Sequence, residues 1–269
     1  MTKQHLIALD LDGTLLKDDK TISPFTKEVL RNAQNEGHIV CISTGRPFRA
    51  SKMYYDELNL TTPIVNFNGA FVHHPLDDGW GVYHTTLDVN VVKDIVEIAE
   101  TFHVHNILAE VLDHVFLHYH DEQWLDIFSL GNPTIEIGNL KTTLNQDVTS
   151  ILIHSDEHNI QQIRQYLNDV HAEVVDHRSW AAPWHVIEII RYGINKAVGL
   201  EKIAKYYNIP KERIIAFGDE DNDMEMIEYA GIGVAMGNAI EPLKEIADEI
   251  TLTNEEDGVA KFLKEALTL

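Results

Sequence analysis

The stretch LIALDLDGTLL, residues 6–16, decides the fold, because an apolar run ends there in two carboxylates separated by one residue. Side chains on a strand alternate between its faces, so Asp10 and Asp12 project to the same side. The apolar run is typical of a parallel-sheet strand that is covered on both faces. Ligands of open α/β sheets bind beyond the carboxyl ends of the strands, so both carboxylates mark a candidate site.

Two other interpretations of this stretch are an acidic turn and a calcium-binding loop. An acidic turn would use the permissive backbone of Gly13 and the capping ability of Asp12, and this stretch alone does not exclude it. A calcium-binding EF-hand needs glycine at its sixth position and glutamate at its twelfth. Counted from Asp10, those positions hold Leu15 and Thr21, which excludes an EF-hand.

The whole chain has the composition of a soluble globular protein, with 44% hydrophobic and 24% charged residues among 269. Its net charge of -22 would repel nucleic-acid phosphates, so no nucleic-acid partner is expected. The single cysteine, Cys41, lies in an apolar run and is predicted to be buried. The residues MTKQHLIALD contain no long apolar region of the kind found in signal peptides, and no later segment approaches the length of a membrane span. We therefore expect a cytoplasmic protein.

A βαβ unit follows the first strand. Ser23 and Pro24 predict the start of a helix, and Gly37 predicts its end. The next segment, HIVCISTGRP, predicts a second buried strand ending at Thr44, which would lie near Asp10 in a parallel sheet. Further along, Asn68 and Gly69 form a strong turn signal.

The pattern changes between residues 87 and 188. Helical segments and pairs of strand-like segments predict an inserted α+β domain with an antiparallel sheet. Alternating strands and helices resume after it, so residues 1–86 and 189–269 are predicted to form one α/β core. We find no internal repeat.

A second acidic cluster, GDEDND, follows another apolar strand and contains Asp219, Asp221 and Asp223. An EF-hand is excluded again, because Met224 and Ala230 occupy its glycine and glutamate positions. An acidic helix start that favours the helix dipole is the simpler alternative. Oxygen ligands gathered at neighbouring strand ends instead predict a small hard cation, Mg²⁺.

A phosphate would complete such a site. Thr44 offers a hydroxyl, Gly45 an unobstructed amide, and Lys196 a cation at the start of a helix. A single lysine is ordinarily a solvated surface charge. Lys196 opens the first helix after the insertion, however, and from there it can point toward the edge that carries Asp10 and Asp12.

Four motifs in this order resemble the haloacid dehalogenase superfamily of phosphohydrolases. They are DLDGTL at Asp10, TGR at Thr44, Lys196, and GDEDND at Asp219. The likeness is to the Cof-type subfamily, whose large α/β cap (type C2B) lies between the second and third motifs. The resemblance implies a doubly wound, mainly parallel Rossmann-like core with a cap domain at residues 87–188.

The resemblance also implies the roles of the site residues. Asp10 would be the nucleophile that forms an aspartyl-phosphate, and Asp12 the general acid and base. Mg²⁺ would be held by Asp10, the backbone carbonyl of Asp12 and Asp219, with Asp223 supporting the metal site or Lys196. The residues that would hold the phosphoryl oxygens are Leu11, Thr44, Gly45, Lys196 and Asn222.

The implied function is a phosphatase of small metabolites. Sugar phosphates, nucleotides such as FMN, pyridoxal phosphate and flavin-pathway ribityl phosphates are the expected substrate classes. Five residues are candidates for substrate contact, although packing or a turn is the simpler role for each: Arg46, Asn68, Trp184, His185 and Glu188. The histidines at positions 73, 74, 103 and 118 are predicted to be exposed strand residues rather than zinc ligands.

Two alternatives use the same chemistry. A phosphotransferase or phosphomutase would pass the phosphoryl group to a hydroxyl other than water. A receiver-like signalling module would retain the phosphoryl group on Asp10. A receiver is a single small domain, whereas this chain is predicted to contain a large insertion. A receiver also lacks the acid/base group that Asp12 provides. The insertion and Asp12 both favour a hydrolase over a receiver.

Overall fold

The computed structural model describes residues 4–180 and 185–269. Within them the chain forms fourteen strands: β1 (Leu6–Leu9), β2 (Ile39–Ile42), β3 (Ile64–Asn66), β4 (Phe71–His73), β5 (Val82–His84), β6 (Asn106–Val111), β7 (His114–Leu117), β8 (Thr134–Ile137), β9 (Ser150–His154), β10 (Val175–Trp180), β11 (Val186–Arg191), β12 (Ile214–Gly218), β13 (Ile232–Ala235) and β14 (Glu249–Ile250).

The same residues contain ten α-helices: α1 (Pro24–Asn35), α2 (Phe48–Glu57), α3 (Val89–Thr101), α4 (Glu122–Phe128), α5 (Leu140–Thr143), α6 (Glu157–Val170), α7 (Lys196–Tyr207), α8 (Met224–Tyr229), α9 (Glu241–Ile246) and α10 (Gly258–Leu267). None of these helices is long and apolar enough to cross a bilayer.

Two units divide the chain. The larger contains Met1–Arg46, Ser51–Tyr83 and Asn195–Leu269, and the smaller contains Pro47–Ala50 and His84–Ile194. The smaller unit is therefore longer at both ends than the predicted insertion at residues 87–188.

Two contacts within the smaller unit involve residues that lie outside the predicted insertion. The His84 side chain lies 2.9 Å from the hydroxyl of Thr149, and the Thr86 carbonyl accepts a hydrogen bond from Arg191 at 3.4 Å.

A five-stranded parallel sheet forms the centre of the larger unit, in the order β14-β13-β12-β1-β2. All four residues of β1 are buried, as expected for a strand covered on both faces. β1 lies between β2 and β12, so the carboxyl ends of these three strands meet at one edge. The predicted parallel α/β core is confirmed.

Helix α1, which connects β1 to β2, forms as its sequence predicts. Ser23 caps α1 by accepting a hydrogen bond from the Thr26 amide at 3.0 Å, and Pro24 occupies the first turn. Val29 and Ala33 face the core, and Gly37 follows the helix at a φ of 89°. Cys41 is fully buried in β2.

A small sheet in the order β3-β4-β5 belongs to the larger unit except for His84, the last residue of β5. β3 and β4 are antiparallel and are joined by a 3-10 turn, Phe67–Gly69. Asn68 and Gly69 have φ values of 52° and 100°, so the predicted turn is present. The positive φ values direct the chain back within three residues.

The smaller unit contains a six-stranded sheet in the order β10-β11-β9-β6-β7-β8. Helices α3 and α6 pack on one face and cover a core that includes Ile107, Ile153 and Ile189. The prediction of an antiparallel sheet is correct except at the edge, where β8 pairs with β7 in parallel. Because α4 connects β7 to β8, the chain re-enters the sheet in the same direction.

His118 corrects one sequence-based prediction. It is buried rather than exposed, and its Nδ1 accepts a hydrogen bond from the Leu140 amide at 3.2 Å. Its Nε2 lies 3.1 Å from a carboxylate oxygen of Glu100. His103 is exposed, as predicted, but lies in the turn after α3 rather than in a strand.

Candidate active site

Strand ends and helix starts of the larger unit bring together Asp10, Lys196, Asp219 and Asp223. Asp10 follows β1, and its amide donates to the Phe217 carbonyl of β12 at 3.2 Å. Asp219 follows β12, and Asp223 ends the short turn before α8. Their proximity depends on the parallel pairing of β1 with β12.

Lys196 is fully buried and has two carboxylate partners. Its Nζ lies 2.7 Å from Oδ1 of Asp10 and 2.7 Å from Oδ1 of Asp223. The other Asp223 oxygen accepts from the backbone amides of Asp219 at 3.0 Å and Glu220 at 3.1 Å. Asp223 therefore fixes both the lysine and the turn that carries Asp219.

The start of α7 is held firmly, which explains how Lys196 is aimed. Asn195 caps the helix by accepting from the Val198 amide at 3.1 Å. Gly69 packs so closely beneath this point that a Cβ there would lie 2.2 Å from the Asn195 carbonyl oxygen. The turn signal in the sequence therefore also serves to place the lysine.

The carboxylates carry more negative charge than Lys196 can neutralise. Burial raises the pKa of Asp10 to about 7, against the opposing effect of Lys196, and Asp223 adds to the rise. Burial also raises the pKa of Asp219 to about 8, with further contributions from Asp10 and Asp223. Burial by itself would lower the pKa of Lys196, but the two carboxylates outweigh it and raise that pKa.

The donor set fits a divalent cation. Oxygen atoms of Asp10, Asp219 and Asp223 lie within 4.8 Å of one another. Three carboxylates against one ammonium group leave two negative charges, which a hard divalent cation with oxygen ligands would balance. Burial is the main cause of the raised pKa values of Asp10 and Asp219, and repulsion between neighbouring carboxylates adds to both.

Thr14 and Gly13 lie against the Asp219 carboxylate of the cluster. The Thr14 hydroxyl donates to Oδ1 of Asp219 at 2.8 Å and is buried. Gly13 has a φ of 74°, and a Cβ there would lie 2.1 Å from Oδ2 of Asp219. Sequence reasoning missed Thr14, although a hydroxyl residue directly after the Asp-Gly pair was a usable signal.

Asp12 has different partners from Asp10. Arg46 binds it through two hydrogen bonds of 2.6 Å, from Nε to Oδ2 and from Nη2 to Oδ1. Lys20 donates to Oδ1 at 2.8 Å. Burial by itself would raise the pKa of Asp12, but the bonds from Arg46 and Lys20 outweigh it and lower the pKa to about 2. Asp12 is thus an anion held by two cations.

Two of the residues expected to hold phosphate, Gly45 and Asn222, lie against the side chain of Asn68. Asn222 donates from Nδ2 to Oδ1 of Asn68 at 3.0 Å, and the Asn68 amide lies within 3.2 Å of where a Gly45 Cβ would be. The Thr44 hydroxyl accepts from the Arg46 amide at 3.1 Å. The backbone amide of Thr44 donates a hydrogen bond to the Val65 carbonyl at 2.9 Å. Leu11 is fully buried.

Candidates for substrate contact are divided between the units. Asn68 and Arg46 lie in the larger unit, near the groups above. His185 and Glu188 lie in the smaller unit, where Glu188 is buried in β11 opposite Arg178. Trp184 lies outside the described residues.

Comparisons with known proteins agree with this geometry. Residues 7–263 match the model of the haloacid dehalogenase-like hydrolase family. Over 268 residues the chain is 63% identical to the 5-amino-6-(5-phospho-D-ribitylamino)uracil phosphatase YitU of Bacillus subtilis, covering 100% of this chain and 99% of the relative.

Solved structures show the same fold. A haloacid dehalogenase-like hydrolase from Bacteroides thetaiotaomicron is 30% identical, with a TM-score of 0.84 over 98% of this chain and 100% of that one. A subclass IIB sugar phosphatase is 24% identical and shares the fold, with a TM-score of 0.84 over 98% and 99% of the two chains. The predicted family and Cof-type architecture are confirmed. The chain belongs to the haloacid dehalogenase-like hydrolase family.

Proposed function

We propose that this enzyme is a Mg²⁺-dependent phosphatase of small metabolites, and that its principal substrate is 5-amino-6-(5-phospho-D-ribitylamino)uracil. The observation that carries the reaction class is the buried Asp10 carboxylate, paired with Lys196 beside Asp219 and Asp223. The substrate assignment rests on the relative that is 63% identical over the full chain. Among the substrate classes expected from the sequence, this relative supports the ribityl phosphates.

Asp10 is the proposed nucleophile. Its carboxylate oxygen forms a bond to phosphorus as the bond to the ribityl oxygen breaks, and the leaving oxygen takes a proton from Asp12. Water then attacks phosphorus, Asp12 removes its proton, and phosphate departs with regeneration of the Asp10 carboxylate. Two chemical roles therefore explain two carboxylates separated by one residue.

The hydrogen bond from Lys196 supports the first step in two ways. It fixes one oxygen of Asp10 and supplies positive charge where an anionic nucleophile approaches an anionic phosphate. The ionised state of Asp12 suits its role as base toward water, and its role as acid requires that it first bind a proton.

Mg²⁺ would be held by the carboxylates of Asp10 and Asp219 and the backbone carbonyl of Asp12. When bound, it supplies the charge neutralisation that the three carboxylates lack. Asp223 would stay on Lys196 and the backbone amides. Five residues are proposed to hold the phosphoryl oxygens: Leu11, Thr44, Gly45, Lys196 and Asn222.

Phosphate release from a panel of phosphorylated metabolites tests this function. The panel contains the ribitylaminouracil phosphate, FMN, pyridoxal phosphate and sugar phosphates, each with Mg²⁺ or with chelator. We expect the ribityl compound to have the highest kcat/KM, and Asp10→Asn or chelation to abolish release. Asp56→Asn is the control and should retain activity, because Asp56 pairs with Lys52 at the surface.

Three outcomes would contradict the proposal in different ways. A higher kcat/KM for another panel member would overturn the substrate and leave the phosphatase. Transfer of the phosphoryl group to a sugar hydroxyl would indicate a phosphotransferase. A stable phosphate adduct on Asp10 without turnover would indicate a signalling module.

A further inference from the structure

Asp12 is the least protected carboxylate of the proposed machinery. Its side chain is 43% exposed, whereas that of Asp10 is 7% exposed. A half-exposed carboxylate at a loop can rotate unless its partners restrain it. The residues that restrain Asp12 therefore decide where its oxygens point.

Arg46 restrains the rotation of the carboxylate. Its planar guanidinium meets both oxygens of Asp12 in a bidentate pair with two bonds of 2.6 Å. Such a fork fixes the plane of its partner, unlike a single ammonium contact. Lys20 adds a third bond, to Oδ1, at 2.8 Å.

Tyr54 contacts both cationic partners of Asp12. The Arg46 guanidinium carbon lies 5.5 Å from the centroid of the Tyr54 ring, within cation-π range. The Tyr54 hydroxyl donates to the backbone carbonyl of Lys20 at 3.0 Å. Tyr54 itself is buried in α2, so it is a fixed support.

The loop that carries Lys20 needs this support. Lys20 has a φ of 64°, a left-handed conformation that is unfavourable for a residue with a Cβ. Its amide donates to the Lys17 carbonyl at 2.9 Å, and the Lys17 amide donates to the Thr21 carbonyl at 3.0 Å. The hydrogen bond from Tyr54 holds the carbonyl of Lys20, so both backbone polar groups of this residue have partners.

We propose that Lys20, Arg46 and Tyr54 form a positioning network that orients the side chain of Asp12, so that the proton which Asp12 binds before the first step passes to the leaving oxygen. Tyr54 acts without touching the substrate: it supports the plane of Arg46 with its ring and the turn of Lys20 with its hydroxyl. This inference rests on the proposed phosphatase function. It assigns specific tasks to Lys20 and Tyr54, which lie outside the four family motifs.

The leaving group provides the test. A nitrophenolate is a stable anion that leaves without a proton, whereas an alkoxide needs one. The kcat/KM value covers all steps up to departure of the leaving group. Misplaced Asp12 should therefore reduce kcat/KM for alkyl phosphates and spare p-nitrophenyl phosphate. A general loss of structure would reduce both equally.

The informative variants are Tyr54→Leu, which removes ring and hydroxyl, Tyr54→Phe, which removes the hydroxyl alone, and Lys20→Met. For Tyr54→Leu and Lys20→Met we expect kcat/KM to fall about tenfold or more with the ribitylaminouracil phosphate and less than about twofold with p-nitrophenyl phosphate. Tyr54→Phe, which keeps the cation-π contact, should recover part of the loss.

Matched controls lie next to each position. Tyr55→Phe removes a hydroxyl that donates to the Thr62 carbonyl at 2.8 Å, also from a buried tyrosine of α2. Lys17→Met removes a cation of the same loop that donates to the Glu255 carbonyl at 3.0 Å. Both controls should leave the ratio of alkyl to aryl kcat/KM unchanged. Equal losses with both substrates in the Tyr54 and Lys20 variants would overturn the proposal.

A second measurement separates this inference from the proposed function. The hydrogen-exchange rate of the Arg46 Nε–H, measured by NMR, reports the strength of its bond to Asp12 without any turnover. The signal is assigned by its disappearance in Arg46→Lys. Tyr54→Leu should accelerate this exchange at least about tenfold, and Tyr55→Phe should not. If wild type hydrolyses no alkyl phosphate, the proposed function fails, and unchanged Arg46 exchange in Tyr54→Leu would overturn the network independently.

Discussion

The Nζ of Lys196 lies 2.7 Å from Oδ1 of Asp10, although 186 positions separate the two residues in the chain. The pair closes a buried cluster that also contains Asp219 and Asp223. One ammonium group among three carboxylates leaves net negative charge in a desolvated place. Protein stability, the proposed metal binding and the proposed activity therefore depend on the same cluster.

Replacing Lys196 by methionine should destabilise the protein strongly. The change removes the cation and leaves Asp10 and Asp223 without their shared partner, and breaking a buried ion pair in this way costs about 3–5 kcal/mol. Urea unfolding in chelator measures the loss. Lys205→Met, at an exposed ion pair with Glu201 on the same helix, is the control and should change little. Similar losses in both variants would show that the buried pair has no special role.

Mg²⁺ should raise the melting temperature of the wild-type protein. A ligand that binds only the folded state at about 100 times its Kd adds about 2.7 kcal/mol of stability. Asp219→Asn should abolish most of this shift, because it removes one carboxylate of the cluster. Asp221→Asn, in the same turn but outside the cluster, should preserve it. A shift of equal size in Asp219→Asn would place the metal elsewhere.

Two glycine substitutions separate backbone strain from steric conflict. Gly37→Ala has open space around the new Cβ and a φ of 89°, so it should cost about 1–2 kcal/mol and keep activity. Gly13→Ala has a similar φ of 74°, but its Cβ would lie 2.1 Å from Oδ2 of Asp219. It should therefore also reduce kcat at least about 100-fold by displacing Asp219. Equal activity in the two variants, measured alongside urea unfolding, would argue against this displacement.

His118 should make folding sensitive to mild acid. Burial lowers its pKa in the folded protein, against the opposing effect of Glu100, and protonation of Nδ1 would break its bond with the Leu140 amide. As the pH falls below about 6.5, the unfolded chain gains a proton that the folded chain does not, so the stability contribution falls by up to about 1.4 kcal/mol per pH unit.

His118→Gln removes this titration and keeps an acceptor. Urea unfolding between pH 8 and pH 5.5 should show a smaller loss of stability for the variant than for wild type. Parallel curves would mean that His118 titrates alike in both states. Glu122→Gln is the control, because it removes one ionisable group at the surface, where the Glu122 carboxylate lies 3.5 Å from His120.

Local sequence predicted the parts of the fold that depend on short-range chemistry. Ser23 and Pro24 start α1 because capping and a preset φ act within one turn. The turn at Asn68 and Gly69 follows from tolerance of positive φ. The apolar runs of β1 and β12 are buried because both faces of the sheet are covered.

Long-range pairing produced the differences from prediction. β8 pairs in parallel with β7 because α4 returns the chain to the same end of the sheet, which alternation of apolar residues does not encode. His118 is buried by contacts with Leu140 and Glu100, which lie 22 and 18 positions away.

The order of the acidic, hydroxyl and lysine motifs was enough to determine the family and to select Asp10, Asp12, Lys196 and Asp219 as candidates. Only the tertiary structure decided which charges meet. Lys196 pairs with Asp10 and Asp223, and Asp12 pairs with Arg46 and Lys20. The physical reason is that charge pairing depends on distance and burial, and these are set by the register of β1 with β12 and the placement of α7 rather than by spacing along the chain.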